Sequence, residues 1–178
     1  MWIYAAIIGY LAGSVPFGII LSKLYRNAGG RTLAAASVLI DMAKVAAVYL
    51  IVDNMIPGSG FLAGFAAVIG HDFPVWLKGR GGKGVAATFG FMIAASPWLF
   101  VVCAAAWLSC ALLTRLSSLS ALVMLTIAPA AAFLIGLQDE VVFAVAVLAL
   151  LGVYTHKENI KRLVGGTEDK INLRRKKS

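Results

Sequence analysis

Apolar residues run almost unbroken along this chain, in stretches at 2–24, 33–52, 61–77, 85–114, 117–137 and 141–154, with short polar segments between them. Strands of a membrane barrel would alternate apolar and polar positions with period two. These runs do not, so the pattern predicts helices throughout. A spanning helix needs about 20 residues to cross a hydrocarbon core of about 30 Å. The run at 85–114 fits neither one pass nor two: about 30 residues overshoot one crossing by some 15 Å and fall short of the roughly 40 that two crossings need. Ser96-Pro97-Trp98 interrupts it, so the sequence predicts a short helix at 85–95, a turn at Pro97 and a second helix to Thr114.

Composition agrees with that pattern and narrows it. Of the 178 residues 61% are hydrophobic and 13% charged, against about 25% charged in soluble domains. The expectation is an all-α integral membrane protein of about seven transmembrane helices, one domain over residues 1–178 with a basic tail at 157–178. With a reversal at Pro97, Lys23, Arg26, Arg31, Lys78, Arg80, Lys83, Arg115 and the tail fall on one side, and Asp53, Asp139 and Glu140 on the other. The positive-inside rule then puts the N-terminus on the extracytoplasmic side and the C-terminus in the cytoplasm. No Lys or Arg precedes Lys23, so the first run reads as a retained helix and not a cleaved leader. Arg174-Arg175-Lys176-Lys177 reads as an orientation signal that also touches anionic lipid, with no nucleic-acid partner. No internal repeat is visible, which gives an inverted-repeat transporter little support.

Three features sit inside the apolar runs. Gly13-Ser14-Val15-Pro16-Phe17-Gly18 removes one backbone donor and supplies small residues, which predicts a kink or a close helix contact. Asp41 and Lys44, three apart, share a helix face. An isolated charge at that depth costs about 2.5 kcal/mol or more, so the two are expected to pair or to face a polar cavity. Cys103 and Cys110 have apolar neighbours and no ligand spacing, and read as buried free thiols.

The polar segments carry the candidate chemistry. Gly79-Arg80-Gly81-Gly82-Lys83-Gly84 leads into a helix. Glycine N–H groups, a helix N-terminus and two cations make Arg80, Gly81, Gly82, Lys83 and Gly84 a candidate phosphate cradle, and a glycine turn with incidental charges is the alternative. It is not a Walker loop, because Gly84 stands where Ser or Thr should follow Lys83. His71, followed by Asp72, is either an interfacial side chain or a participant. The other histidine, His156, shares a helix face with Asn159, so both can address one ligand. Gly165-Gly166-Thr167-Glu168 forms a second glycine turn on the same side. Two histidines without a Cys or carboxylate cluster argue against a metal, and no Gly-x-Ser-x-Gly elbow supports a serine hydrolase.

The strings GHDFPVWLKGRGGKGVAAT at 70–88 and HKENIKRLVGGTEDKI at 156–171, with residues 13–18 and 41–44, resemble the bacterial acyl-phosphate:glycerol-3-phosphate acyltransferases of PlsY type over essentially the whole chain. The resemblance implies transfer of a fatty acyl group from acyl phosphate to the 1-hydroxyl of glycerol-3-phosphate. Phosphate is released and lysophosphatidic acid forms, the first step of phospholipid synthesis, with no metal, cofactor or acyl-enzyme. It also implies the bacterial cytoplasmic (inner) membrane as location. The implied partners are the two substrates, membrane lipid and the enzyme that supplies acyl phosphate.

On this resemblance Arg80, Gly81, Gly82, Lys83 and Gly84 hold substrate phosphate. His156 and Asn159 are catalytic, with His156 or a substrate phosphate oxygen taking the hydroxyl proton. Thr167 and Glu168 fix the last loop, and His71, Asp41 and Lys44 lend support. One family segment is absent, a Gly-Ser-Gly-Asn-x-Gly-Ala-Thr-Asn motif followed by arginine between the first two spans. Here Leu24-Tyr25-Arg26 runs straight into Asn27-Ala28-Gly29-Gly30-Arg31, as if a loop had been excised. Two further readings stand beside an active enzyme: an inactive relative that serves as a binding or assembly protein, and a small anion transporter.

Overall fold

The computed structural model describes residues 1–25, 30–79 and 81–171. Nine helices account for nearly all of them: α1 (Trp2–Gly13), α2 (Phe17–Leu24), α3 (Gly30–Met55), α4 (Gly60–Asp72), α5 (Val85–Ala95), α6 (Pro97–Thr114), α7 (Ser117–Ile135), α8 (Asp139–Thr155) and α9 (Lys157–Val164). Five segments are long and apolar enough to cross a membrane: Trp2–Leu24, Thr32–Met55, Gly60–Leu77, Pro97–Thr114 and Ser117–Ile135. α8 and α9, bent by 60° at His156, make a sixth among the described residues, against the seven spans expected; the 11-residue α5 is apolar but shorter than a full crossing. Cys103 and Cys110 are both free thiols, the first buried and the second partly so.

The first run is divided where its proline stands. Pro16 has no N–H to continue the α1 ladder, and α2 begins at Phe17. The close contact also forms. A Cβ on Gly9 or Gly13 would run into the backbone of Ala63 or Ala67, and one on Gly70 into the Tyr10 carbonyl, so α1 and α4 lie backbone to backbone. The Tyr10 hydroxyl donates to the Phe73 carbonyl at 2.8 Å and closes the same pair at its other end.

Residues 85–114 reverse direction as the proline predicts. Ser96 is extended, its hydroxyl accepts the Leu99 N–H at 3.4 Å, and Pro97 occupies the first turn of α6, where its missing donor is harmless. Both ends of the α5–α6 pair return to one face. The Thr155 hydroxyl donates to the Lys83 carbonyl at 3.2 Å before α5, and the Ile171 N–H donates to the Arg115 carbonyl at 2.7 Å after α6. The core between the helices is built on Phe91, Met92, Leu99, Met124, Leu125 and Leu148, all fully buried. The segment after residue 156 is no loose extension: α9 and the following loop pack back on the bundle, while 172–178, with Arg174 to Lys177, lie outside the described residues.

Candidate active site

Two cavities open on this face, one on either side of the 81–84 loop. The smaller, about 260 Å³, lies at the α1–α2 break and is lined by Ser14, Val15, Asp41, Lys44, His71, Gly81 and Gly82 among others. Asp41 and Lys44 pair here as their spacing predicts, at 2.9 Å. Lys44 Nζ also donates to the Val15 carbonyl, which accepts the Phe17 N–H as well, and contacts His71 Nδ1, both at 3.1 Å. Three acceptors use the three ammonium protons. His71 Nδ1 also stands 3.4 Å from Asp41 Oδ1, so it faces both members of the pair, while Nε2 faces Gly82 and leaves no room for a Cβ there.

The larger cavity, about 700 Å³, is apolar over most of its length. Val38, Met42, Phe89, Phe100, Trp107 and Leu108 line its body, and Lys83, Ser117, Ser118, His156, Asn159 and Glu168 gather at one end. His156 is the hinge residue between α8 and α9 and is 2% exposed. Its Nδ1 lies 2.7 Å from the Gly152 carbonyl. A carbonyl only accepts, so the proton is on Nδ1 and Nε2 carries the lone pair. Asn159, one turn on, donates from Nδ2 to Glu168 Oε1 at 2.7 Å, and its own Oδ1 is buried without a partner. Glu168 Oε2 accepts from Arg162 Nε, also at 2.7 Å. The Ser118 hydroxyl, the Asn159 amide and the Arg162 guanidinium around Glu168 hold its carboxyl at about 2, far below the ordinary range.

The structure divides the predicted cradle. The Gly81 and Gly82 N–H groups donate to the Asp72 and His71 carbonyls, at 3.1 and 3.2 Å, and so fold the loop onto the end of α4. These two amides are thus engaged within the fold, and an anion at Gly81 or Gly82 would meet them already bonded. Gly84 takes φ +75°, a left-handed conformation that favours glycine, and starts α5 with no side-chain cap. The first-turn N–H groups of α5 and the Lys83 ammonium are what remains for an anion. Arg80 lies outside the described residues. Thr167 donates to the Arg162 carbonyl at 3.4 Å and steadies the turn that delivers Glu168.

Sequence reasoning missed Ser118, whose hydroxyl is buried beside Glu168, and Thr155, which holds the Lys83 carbonyl. Both read as helix-end residues, and nothing in their local pattern marks them. Among the described residues no three His, Cys, Asp or Glu side chains stand together in a metal-holding cluster.

An apolar chamber inside a helix bundle, with a cation, a histidine base and an amide at one end, defines a membrane protein that handles an amphiphile with an anionic head. Residues 25–166 match the model of the family described as glycerol-3-phosphate acyltransferase, and the chain belongs to that family. Glycerol-3-phosphate acyltransferase 1 of Rhizobium johnstonii is 41% identical, with 96% of this chain and 91% of that protein covered. The glycerol-3-phosphate acyltransferase of Agrobacterium fabrum is 40% identical over 94% of this chain and 90% of its own length. Crystal structures of the integral membrane glycerol 3-phosphate acyltransferase PlsY superpose on the fold. The lysophosphatidic acid form does so with TM-score 0.87 at 29% identity, covering 95% of this chain and 94% of that one. The glycerol 3-phosphate form gives 0.85, also at 29% identity, covering 96% of each. The alignment with the Rhizobium johnstonii protein spans 189 positions, more than the 178 residues here, so that relative has residues with no counterpart in this chain.

Proposed function

We propose that this chain transfers a fatty acyl group from acyl phosphate to the 1-hydroxyl of glycerol-3-phosphate in the bacterial cytoplasmic membrane. The observation that carries the reading is the meeting of Lys83, His156 and Asn159 at the polar end of a 700 Å³ apolar cavity. The acyl chain lies along Phe89, Phe100, Trp107 and Leu108. Phosphate faces Lys83 and the first turn of α5. His156 Nε2 accepts a hydrogen bond from the substrate hydroxyl and aligns it with the acyl carbonyl. The hydroxyl oxygen forms the new ester bond, the carbonyl–phosphate C–O bond breaks, and the proton leaves on Nε2 or on the phosphate released. Acyl phosphate is already activated, so alignment and charge stabilisation serve in place of a covalent enzyme intermediate. The family assignment and this geometry leave the anion-transporter reading without a supporting observation.

Membranes containing the protein should release phosphate from palmitoyl phosphate only when glycerol-3-phosphate is present, with lysophosphatidic acid as the second product. The short link between α2 and α3 favours one other reading, a relative that binds the two substrates and does not turn them over. The same assay separates them: binding without phosphate release identifies the inactive relative.

A further inference from the structure

Asp72 ends α4 and is 3% exposed, and its carboxylate lies behind the Gly84 turn that starts α5. A Cβ placed on Gly84 would stand 2.7 Å from each of its carboxylate oxygens. Glycine at 84 therefore serves twice, for its backbone angle and for the room it gives a neighbouring carboxylate. Oδ1 has no hydrogen-bond partner, and the Gly81 N–H donates at 3.1 Å to the Asp72 carbonyl, which fixes the residue to the loop. The ionisable neighbours include His71 on its own helix and Lys44 on α3, and Lys44 is already shared among Asp41, Val15 and His71. α5 offers a bare helix N-terminus, since Gly84 has no side chain to cap it. That N-terminus carries partial positive charge and is the natural seat of an anion.

We propose that Asp72 sets the anion affinity of the site at mildly alkaline pH by placing its carboxylate against the N-terminus of α5, where it competes with the phosphate of the incoming substrate. The inference rests on the reading that phosphate binds at Lys83 and the first turn of α5. A carboxylate this close to the start of α5 lowers the attraction felt by a second anion. Asp72 is thus a specificity-determining residue: it keeps phosphate binding weak and favours release of the phosphate product.

The test is the isosteric Asp72→Asn substitution, with Asp72→Thr as a second neutral variant should the first fail to fold. Calorimetric titration of the purified full chain in nanodiscs with glycerol-3-phosphate at pH 8 gives Kd. Removal of one like-charge contact should tighten Kd roughly three- to tenfold, and KM should fall more than kcat. A residue with a purely structural role would loosen binding on substitution. Unchanged or weaker binding in a folded neutral variant overturns the proposal. Tighter binding without turnover in either protein supports it and removes the acyl-transfer reading instead.

Discussion

Asn159 Nδ2 donates to Glu168 Oε1 across 2.7 Å, and this bond ties the helix that carries the site to the loop that closes it. Arg162, on the same short helix, holds the other carboxylate oxygen. Glu168→Gln keeps the shape and removes the charge, so Asn159 loses its fixed orientation. We expect kcat/KM to fall about tenfold, the size of one charge-assisted hydrogen bond. The sign of the pH effect follows from a carboxyl held at about 2, below its unfolded value of 4.5: its contribution is fully present above the unfolded value and is lost as pH falls toward 2. Wild type and Glu168→Gln should therefore share the shape of their pH–rate profiles between pH 5 and 9 and differ in height. An acid limb in that window found only in the wild type would contradict this.

His156 has its Nδ1 proton fixed on the Gly152 carbonyl, which leaves Nε2 as the basic atom. If Nε2 takes the hydroxyl proton, His156→Gln should lower kcat by 10²- to 10⁴-fold, roughly the range for a lost general base. A loss below about tenfold would assign the proton to a phosphate oxygen and leave His156 an orienting role. Single-turnover kinetics with palmitoyl phosphate read the difference directly.

Lys83 is the charge at the mouth of the large cavity, and its carbonyl is held by Thr155. Lys83→Ala should abolish turnover while leaving the backbone bond intact, so the thermal midpoint in detergent should stay close to wild type. Full activity in that variant would remove phosphate from this position.

Ala104 lines the apolar body of the same cavity. Ala104→Phe fills part of that length, so KM for a sixteen-carbon acyl phosphate should rise several-fold while a ten-carbon donor is little affected. Equal effects on both donors would place the acyl chain elsewhere.

Lys44 joins Asp41, Val15 and His71 at one ammonium. Lys44→Met leaves a largely buried Asp41 without its cation, and should destabilise the protein by about 3 kcal/mol. Thermal unfolding of the purified variant measures it, and Asp41→Asn in the Lys44→Met background should recover part of the loss.

Most of the architecture was legible because lipid leaves few choices: uninterrupted apolar runs can only be helices, and Pro97 with the distribution of Lys and Arg fixes where the chain reverses. Pairing of Asp41 with Lys44 follows from their spacing and from the cost of an unpaired charge. The site was legible as residue types and not as directions. Gly81 and Gly82 look like anion-binding amides in sequence, and only the fold reveals that the end of α4 already occupies them. Asp72 reads as a boundary carboxylate, and its closeness to Gly84 depends on a long-range approach of α4 to α5 that no local pattern encodes. Ser118 and Glu168, 50 positions apart in sequence, line one end of the same cavity for the same reason.

The unequal helices of the α5–α6 pair have a consequence for where the reactants meet. α5 has 11 residues and α6 has 18, a difference of about 10 Å at 1.5 Å per residue, and both end on the same face. The glycine loop therefore begins about two helical turns short of the end of α6, with Gly81, Gly82 and Lys83 open to solvent. On the proposed reading a doubly charged water-soluble ester reaches Lys83 directly from solvent, whereas a fatty chain arrives sideways without leaving hydrocarbon. The protein brings the hydrophilic reactant to the lipid one, and the newly made amphiphile starts out at the depth where it belongs.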